Sequence, residues 1–125
     1  MDRLVIPGRF PGLNDYIKAE RGNRYRAAKI KRECTELSMW CCKQQRIPKQ
    51  TGPVELRITW FEPNAKRDLD NIGFAIKFVL DGMVKAGVLE NDNQKWVKRI
   101  VHEAEIDQKK PRVEIEINQW EKGTE

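Results

Sequence analysis

The sequence predicts a single-domain α+β fold with helices packed on a sheet. Three observations carry that prediction. Val54, Leu56, Ile58 and Trp60 interleave with Glu55, Arg57 and Thr59, and Val113, Ile115 and Ile117 interleave with Glu114 and Glu116. Strict alternation of this kind marks half-buried strands. Two other stretches, Ala27-Ile30-Cys34-Leu37-Cys41 and Ile72-Ile76-Val79-Leu80-Met83, repeat apolar residues at helical spacing. Finally, 125 residues suit one domain, 1–125, with a core of its own.

Taken in order, Arg3-Leu4-Val5-Ile6 reads as a short strand. Pro7 to Tyr16 follows, and its prolines and glycines mark a long loop. A helix is expected from about Asn23 to Arg46, stopped by Pro48, with a turn at Thr51-Gly52-Pro53. The Val54–Trp60 strand leads through Glu62–Arg67 into a second helix, about Leu69 to Ala86, with Gly87 at its C-cap. After a polar turn at Glu90–Asn93, Lys95 to Ile106 reads as a strand. Asp107–Pro111 reads as a hairpin loop before the last strand, and Glu121–Glu125 as a frayed tail. The order is β-α-β-α-β-β.

Composition narrows the function. The net charge is +5 and the pI about 9.2, which favours a polyanionic partner. No apolar run approaches the roughly 20 residues of a membrane span. The start, MDRLVIPGRF, lacks the apolar core of a secretory signal, so a cytoplasmic protein is expected. Cys34, Cys41 and Cys42 lack metal-ligand spacing. On one helix Cys34 and Cys41 would stand about 10 Å apart, too far for a disulfide, so reduced thiols are expected. His102 is the only histidine, which argues against zinc and, with no serine or cysteine partner evident, against a nucleophilic triad. Its place on an alternating strand gives it a structural role. Lys18, Arg21, Arg24, Arg26, Lys29, Lys31 and Arg32 crowd the first loop–helix junction. That cluster reads either as a solvated helix face or as a phosphate-binding surface. Phe10, Tyr16 and Tyr25 lie near it, able to stack on bases or to pack under the loop.

The chemistry concentrates between Lys66 and Gln94. Asp68 and Asp70 open the segment, and Lys77 and Asp81 follow. At about 100° per residue, Asp70, Lys77 and Asp81 project within about 20° of one line, opposite the apolar face. Capping and dipole effects account for Asp68 and Asp70, at roughly 0.3–1 kcal/mol. A surface ladder accounts for Lys77, Asp81 and Lys85, at about 0.2–0.5 kcal/mol per pair. Neither accounts for Asp92 beyond the helix end. Three carboxylates that a fold can gather are what a hard divalent cation needs, and Mg²⁺ prefers such oxygens together with waters and substrate phosphates. A calcium loop is excluded, because D-x-[DN]-x-[DN]-G fails at Ile72 and its twelfth position is Val79. Metal-assisted phosphodiester hydrolysis remains.

Arg67-Asp68-Leu69-Asp70-Asn71, then Lys77 with Val79-Leu80-Asp81, then Ala86-Gly87 and Asp92-Asn93-Gln94, resemble the RusA family of Holliday junction resolvases. Ile6-Pro7-Gly8 and Pro11-Gly12-Leu13-Asn14 also look like that family's opening strand and loop, so the resemblance covers nearly the whole chain. It implies a mixed sheet and a small dimeric endodeoxyribonuclease, often prophage-borne, acting in DNA recombination and repair. Such enzymes use Mg²⁺, with Mn²⁺ a possible substitute, and cut four-way junctions by paired nicks. It implies Asp68, Asp70 and Asp92 as metal-binding acids and Lys77 as the catalytic lysine. Arg21, Arg24, Arg26, Lys29, Lys66 and Arg67 are the expected DNA contacts. No small-molecule cofactor and no membrane are expected.

Two departures from the family pattern stand out. Lys77 follows Asp70 by seven residues, three more than in the best-known member, which on a continuous helix keeps its face but moves it about 4.5 Å along the axis. Asn91 also replaces the first of a common Asp-Asp pair at the turn. The alternative function is a non-catalytic nucleic-acid-binding protein, which would bind DNA without Mg²⁺-dependent scission.

Overall fold

The computed structural model describes residues 1–121. Its elements are β1 (Asp2–Pro7), α1 (Leu13–Gly22), α2 (Arg24–Gln44), β2 (Val54–Glu62), α3 (Leu69–Gly73), α4 (Ile76–Lys85), β3 (Val97–Ile106) and β4 (Arg112–Gln119). The α+β class holds, with a four-stranded mixed sheet in the order β1-β4-β2-β3. Of the expected frayed tail, residues 122–125 lie outside the described residues.

The alternating segments become the inner strands. Leu4 and Ile6 on β1, Val54, Leu56, Ile58 and Trp60 on β2, and Val113, Ile115 and Ile117 on β4 are all buried on one face. The helices cover that face, and Phe78, Val79 and Met83 of α4 enter the same core. The opposite face stays open and carries cross-strand charge pairs: Arg3 with Glu116 at 3.2 Å, and Arg57 with Glu103 at 2.9 Å. One-sided cover is what alternating strands permit.

Three sequence expectations change. Asp107–Pro111 is not a hairpin loop: β3 runs parallel to β2, while β4 pairs antiparallel to both β1 and β2. Local sequence cannot tell a hairpin from a connection that passes over a neighbouring strand. Parallel β2 and β3 are in turn joined by α3 and α4, the crossover such a pair requires.

Second, the proline- and glycine-rich loop ends early, because α1 begins at Leu13. The Asp15 carboxylate accepts the Gly12 backbone N–H at 3.2 Å, half of a capping box. Asn23 then separates α1 from α2 with extended backbone, and its side chain accepts the Tyr25 N–H at 2.9 Å. The apolar seam of α2 is also rotated. Leu37 is 40% exposed while Thr35 and Ser38 are buried, because α4 presents Gly82 there.

Third, Leu69 to Ala86 is two helices instead of one. Phe74 and Ala75 form a tight turn between them, with Ala75 N–H to Ile72 O at 3.3 Å and Lys77 N–H to Phe74 O at 3.3 Å. These bonds span three residues instead of four, so the 100° projection from Asp70 to Lys77 does not carry across. The C-terminal end of α4 follows expectation. Gly87 has φ +79, its N–H reaches Val84 O at 3.0 Å, and the Val88 N–H reaches Met83 O at 2.9 Å, which is the Schellman arrangement.

Candidate active site

The short helix α3 and its approach carry the first two acids. Asp68 occupies the N-cap position of α3 and Asp70 its first turn; both are exposed. Asp70 accepts the Asn71 backbone N–H at 3.0 Å. Asn71 fixes α3 in place, because its Oδ1 accepts the Asn14 N–H at 2.9 Å in the first turn of α1. The asparagine in the Asp-x-Asp-Asn run therefore ties α3 to α1. Sequence reasoning did not find that tie, although an amide beside a helix start is a plausible long-range cap.

Lys77 lies in the first turn of α4 and is exposed. The break at Phe74–Ala75 falls inside the seven-residue gap between Asp70 and Lys77, so the two side chains stand on different helices. One turn later, Asp81 departs from the expected surface ladder. Among the described residues it makes no ion pair within 4.0 Å with Lys77 or Lys85. Instead it lines a cleft of about 520 Å³ with Asp92.

That cleft lies between α2 and α4. From α2 come Ala28, Lys31, Arg32 and Thr35; from α4 come Asp81, Val84 and Lys85; Asp92 reaches it from the following loop. The helices approach closely enough here that a Cβ on Gly82 would fall 2.8 Å from Met39 N and Thr35 O. Thr35 is buried, and its hydroxyl has no hydrogen-bond partner among the described residues. Asn91 sets the loop, its Oδ1 accepting N–H groups from Asp92 at 2.7 Å and Asn93 at 3.2 Å. Asn91 thus shapes the turn that presents Asp92.

The structure therefore brings Asp81 and Asp92 together, while Asp68, Asp70 and Lys77 do not line the cleft. Among the described residues no three of His, Cys, Asp and Glu gather closely enough to hold a metal ion. All four aspartates lack ion pairs within 4.0 Å among the described residues, so their oxygens are free for another cation.

The basic residues divide. Arg21, Arg24, Arg26 and Lys66 are exposed, and Lys29 makes only a loose surface pair with Glu33 at 3.9 Å. Arg24, Ala28, Lys31, Arg32 and Thr35 share one face of α2 at helical spacing, so the cleft wall continues toward the helix start. Arg67, expected at the DNA, is committed elsewhere. Its guanidinium clasps the buried Glu62 at 2.9 and 3.0 Å and donates to Phe10 O at 3.1 Å. Arg9 completes that pair at 2.8 Å from Glu62.

The aromatic residues divide too. Phe10 and Tyr16 pack against Phe78, with ring centroids 6.5 and 5.8 Å away, whereas Tyr25 is 73% exposed. His102 is structural, as expected. The Trp60 indole donates to its Nδ1 at 3.0 Å, and burial lowers its pKa. The thiols are free; burial, helped by Glu33, pushes Cys34 up to about 11, and burial beside Cys41 pushes Cys42 up to about 12. Neither is a nucleophile at neutral pH.

Asp81 and Asp92 share the cleft with Lys31, Arg32 and Lys85, and such bases suit a phosphate-bearing partner. The comparison with known families is specific. Residues 7–118 match the family model described as endodeoxyribonuclease RusA. The match spans nearly the whole chain, and the protein belongs to this family. The family is one of endodeoxyribonucleases, so the partner is DNA. No curated protein matches the sequence. No helix among the described residues is long and apolar enough to cross a membrane.

Proposed function

We propose that this protein is a Mg²⁺-dependent nuclease that resolves four-way DNA junctions by paired nicks, acting as a homodimer. The observation that carries the proposal is the pair Asp81 and Asp92, which line one cleft with Lys31, Arg32 and Lys85 and, like the exposed Asp68 and Asp70 on the preceding helix, have no ion-pair partner within 4.0 Å among the described residues. Unpaired carboxylates held this near to bases are acids kept available.

The donor set suits a hard divalent cation, which takes one or two carboxylates, waters and substrate phosphate. Asp68, Asp70 and Asp92 are the residues that would hold it by the family pattern. As they stand they do not form a three-acid cluster, so binding would have to draw α3 and the Asp92 loop together, and Asp81 already shares a cleft with Asp92. Mn²⁺ has the same oxygen preference. When bound, the ion supplies a water activated at neutral pH and positive charge opposite the leaving oxygen. Lys77 neutralises charge on the phosphate under attack. Lys31 and Arg32 anchor a flanking phosphate, and Arg21, Arg24, Arg26, Lys29 and Lys66 extend the basic surface along the DNA. Contacts of this kind are independent of sequence and weaken with salt. Two copies related by a two-fold axis match the near two-fold symmetry of a junction.

The test uses four-way, forked and linear duplex DNA with and without Mg²⁺. The wild type is expected to nick the four-way junction only when the metal is present. Asp70→Asn should slow cleavage by at least about a thousandfold, a loss on the scale of catalytic-residue deletions, while still retarding the junction in a gel. Cleavage by Asp70→Asn at the wild-type rate overturns the catalytic assignment. Binding without any metal-dependent scission by the wild type leaves a DNA-binding protein.

A further inference from the structure

The sheet has one bare long edge. Among the described residues β3 has β2 as its only strand neighbour, and the strand is 10 residues long. Its sequence, VKRIVHEAEI, holds no proline. A long uncovered edge presents unpaired N–H and C=O groups to any second strand. The charges along this edge are sorted by sign: Lys98 and Arg99 precede Val101, and Glu103 and Glu105 follow it. A strand with one sign at each end is complementary to an antiparallel copy of itself.

We propose that two copies of this chain join edge to edge along β3, antiparallel, with the two-fold axis at Val101. This rests on the homodimer part of the reading above and names its surface. In that register Arg99 of each copy stands opposite Glu103 of the other. Ile100 stands opposite His102, and Val101 faces itself. A two-fold perpendicular to the sheet opposes residues of like parity, so open face meets open face and helix layer lies beside helix layer. On the open face Glu55 already lies 3.8 Å from Arg99, and Arg57 lies 2.9 Å from Glu103. The row Glu55–Arg99–Glu103–Arg57 then alternates in sign without a break across the joint. Because α3 and α4 lie on the helix-covered face, both sets of aspartates open toward the same side.

The competing surface is the outer face of α2, where Trp40 is 61% and Leu37 40% exposed. Lys43 already covers the Trp40 ring at 5.5 Å, and that face offers no comparable sorting of charge.

Sedimentation velocity over a concentration range tests the proposal on the full chain, apart from any cleavage assay. The wild type is expected to dimerise. Glu103→Lys and Arg99→Glu each set like charges opposite one another twice, and each should weaken the dimer about tenfold or more. An equimolar mixture of the two variants should form a heterodimer of near wild-type affinity, since every opposed pair is again of unlike sign. The double variant Arg99→Glu/Glu103→Lys should pair with itself for the same reason. Rescue by mixing also shows that both single variants fold. Wild-type dimerisation by Glu103→Lys overturns the proposal, as does dissociation by Trp40→Glu with the β3 variants unaffected; both leave the nuclease reading standing. Failure of the mixture and the double variant to restore a dimer lost in the single variants overturns the register. A monomeric wild type overturns the surface and the dimer together, and junction cleavage is then judged on its own assay.

Discussion

Two groups of acids in this molecule are treated in opposite ways. Around the end of β2, Glu62 is buried and held by two guanidiniums, Arg67 at 2.9 and 3.0 Å and Arg9 at 2.8 Å. Across the open sheet face, Glu55, Glu103, Glu114 and Glu116 each face an arginine. Along α3, α4 and the loop after them, Asp68, Asp70, Asp81 and Asp92 have no such partner among the described residues. A chain with 24 lysines and arginines against 19 acids has cations to spare. Leaving these four unpaired is therefore a property of this stretch of chain, not a shortage. The first group holds the fold together; the second is free to hold something else. Buried pairs should therefore matter to stability, and the unpaired acids to catalysis.

The sharpest way to break that contrast is Arg67→Ala. Removing one partner from a buried pair strands the other charge, which costs about 3–5 kcal/mol. Arg9, 38% exposed at its side chain, remains beside Glu62 and keeps the loss toward the lower figure. Urea unfolding should show a loss of about 3 kcal/mol, whereas Asp68→Asn should stay within about 0.5 kcal/mol of the wild type, as for an ordinary surface change. Equal losses in the two variants would erase the distinction.

The contrast also shows which parts of the structure could be read from the sequence. β2 and β4 declared themselves because each buries one face, so alternation survives in the sequence. The α4 half of the second helix did so for the same reason at helical period. The family motif singled out Asp68, Asp70 and Asp92, three of the four acids that stand without ion pairs among the described residues. What stayed hidden depends on partners far away in the chain. The β3–β4 connection looks like a hairpin until the sheet order places β2 between them. Arg67 looks like a phosphate ligand until Glu62 turns out to be buried beside it, because alternation along β2 carries that glutamate onto the core face. Asn71 looks like part of an acidic motif until α1, itself masked by Pro7, Gly8, Pro11 and Gly12, supplies the N–H it accepts. Asp81 looked like a ladder residue because i, i+4 spacing says which side chains are near, not which cleft lies between two helices.

A smaller effect is expected at the contact that builds the cleft. Gly82→Ala places a methyl group 2.8 Å from Met39 N and Thr35 O, both backbone atoms, and close against Ser38 as well. α2 must then move away from α4, at a cost of about 1–3 kcal/mol for overpacking. Because Lys31, Arg32 and Asp81 line the gap from opposite helices, junction affinity should fall together with melting temperature. Melting at the wild-type temperature with unchanged affinity would show that the helix spacing does not govern the cleft.

The smallest effect is expected at the chain's one histidine, which sits beside the paired region on β3. His102 accepts the Trp60 indole N–H through Nδ1, and only neutral imidazole can do so. Burial lowers its pKa from the ordinary 6.5. Above pH 6.5 both folded and unfolded chains carry neutral imidazole and the contribution is complete. As pH falls below 6.5 the unfolded chain takes up the proton first, so stability declines and then levels off below the folded pKa. Urea unfolding followed by tryptophan fluorescence from pH 8 to pH 5 should show this decline in the wild type. His102→Asn keeps an acceptor in about the place of Nδ1 and cannot titrate. It should shed His102's share of the slope while retaining part of a hydrogen bond worth about 1 kcal/mol. An unchanged slope in His102→Asn would assign the pH dependence to the carboxylates and leave His102 as packing alone.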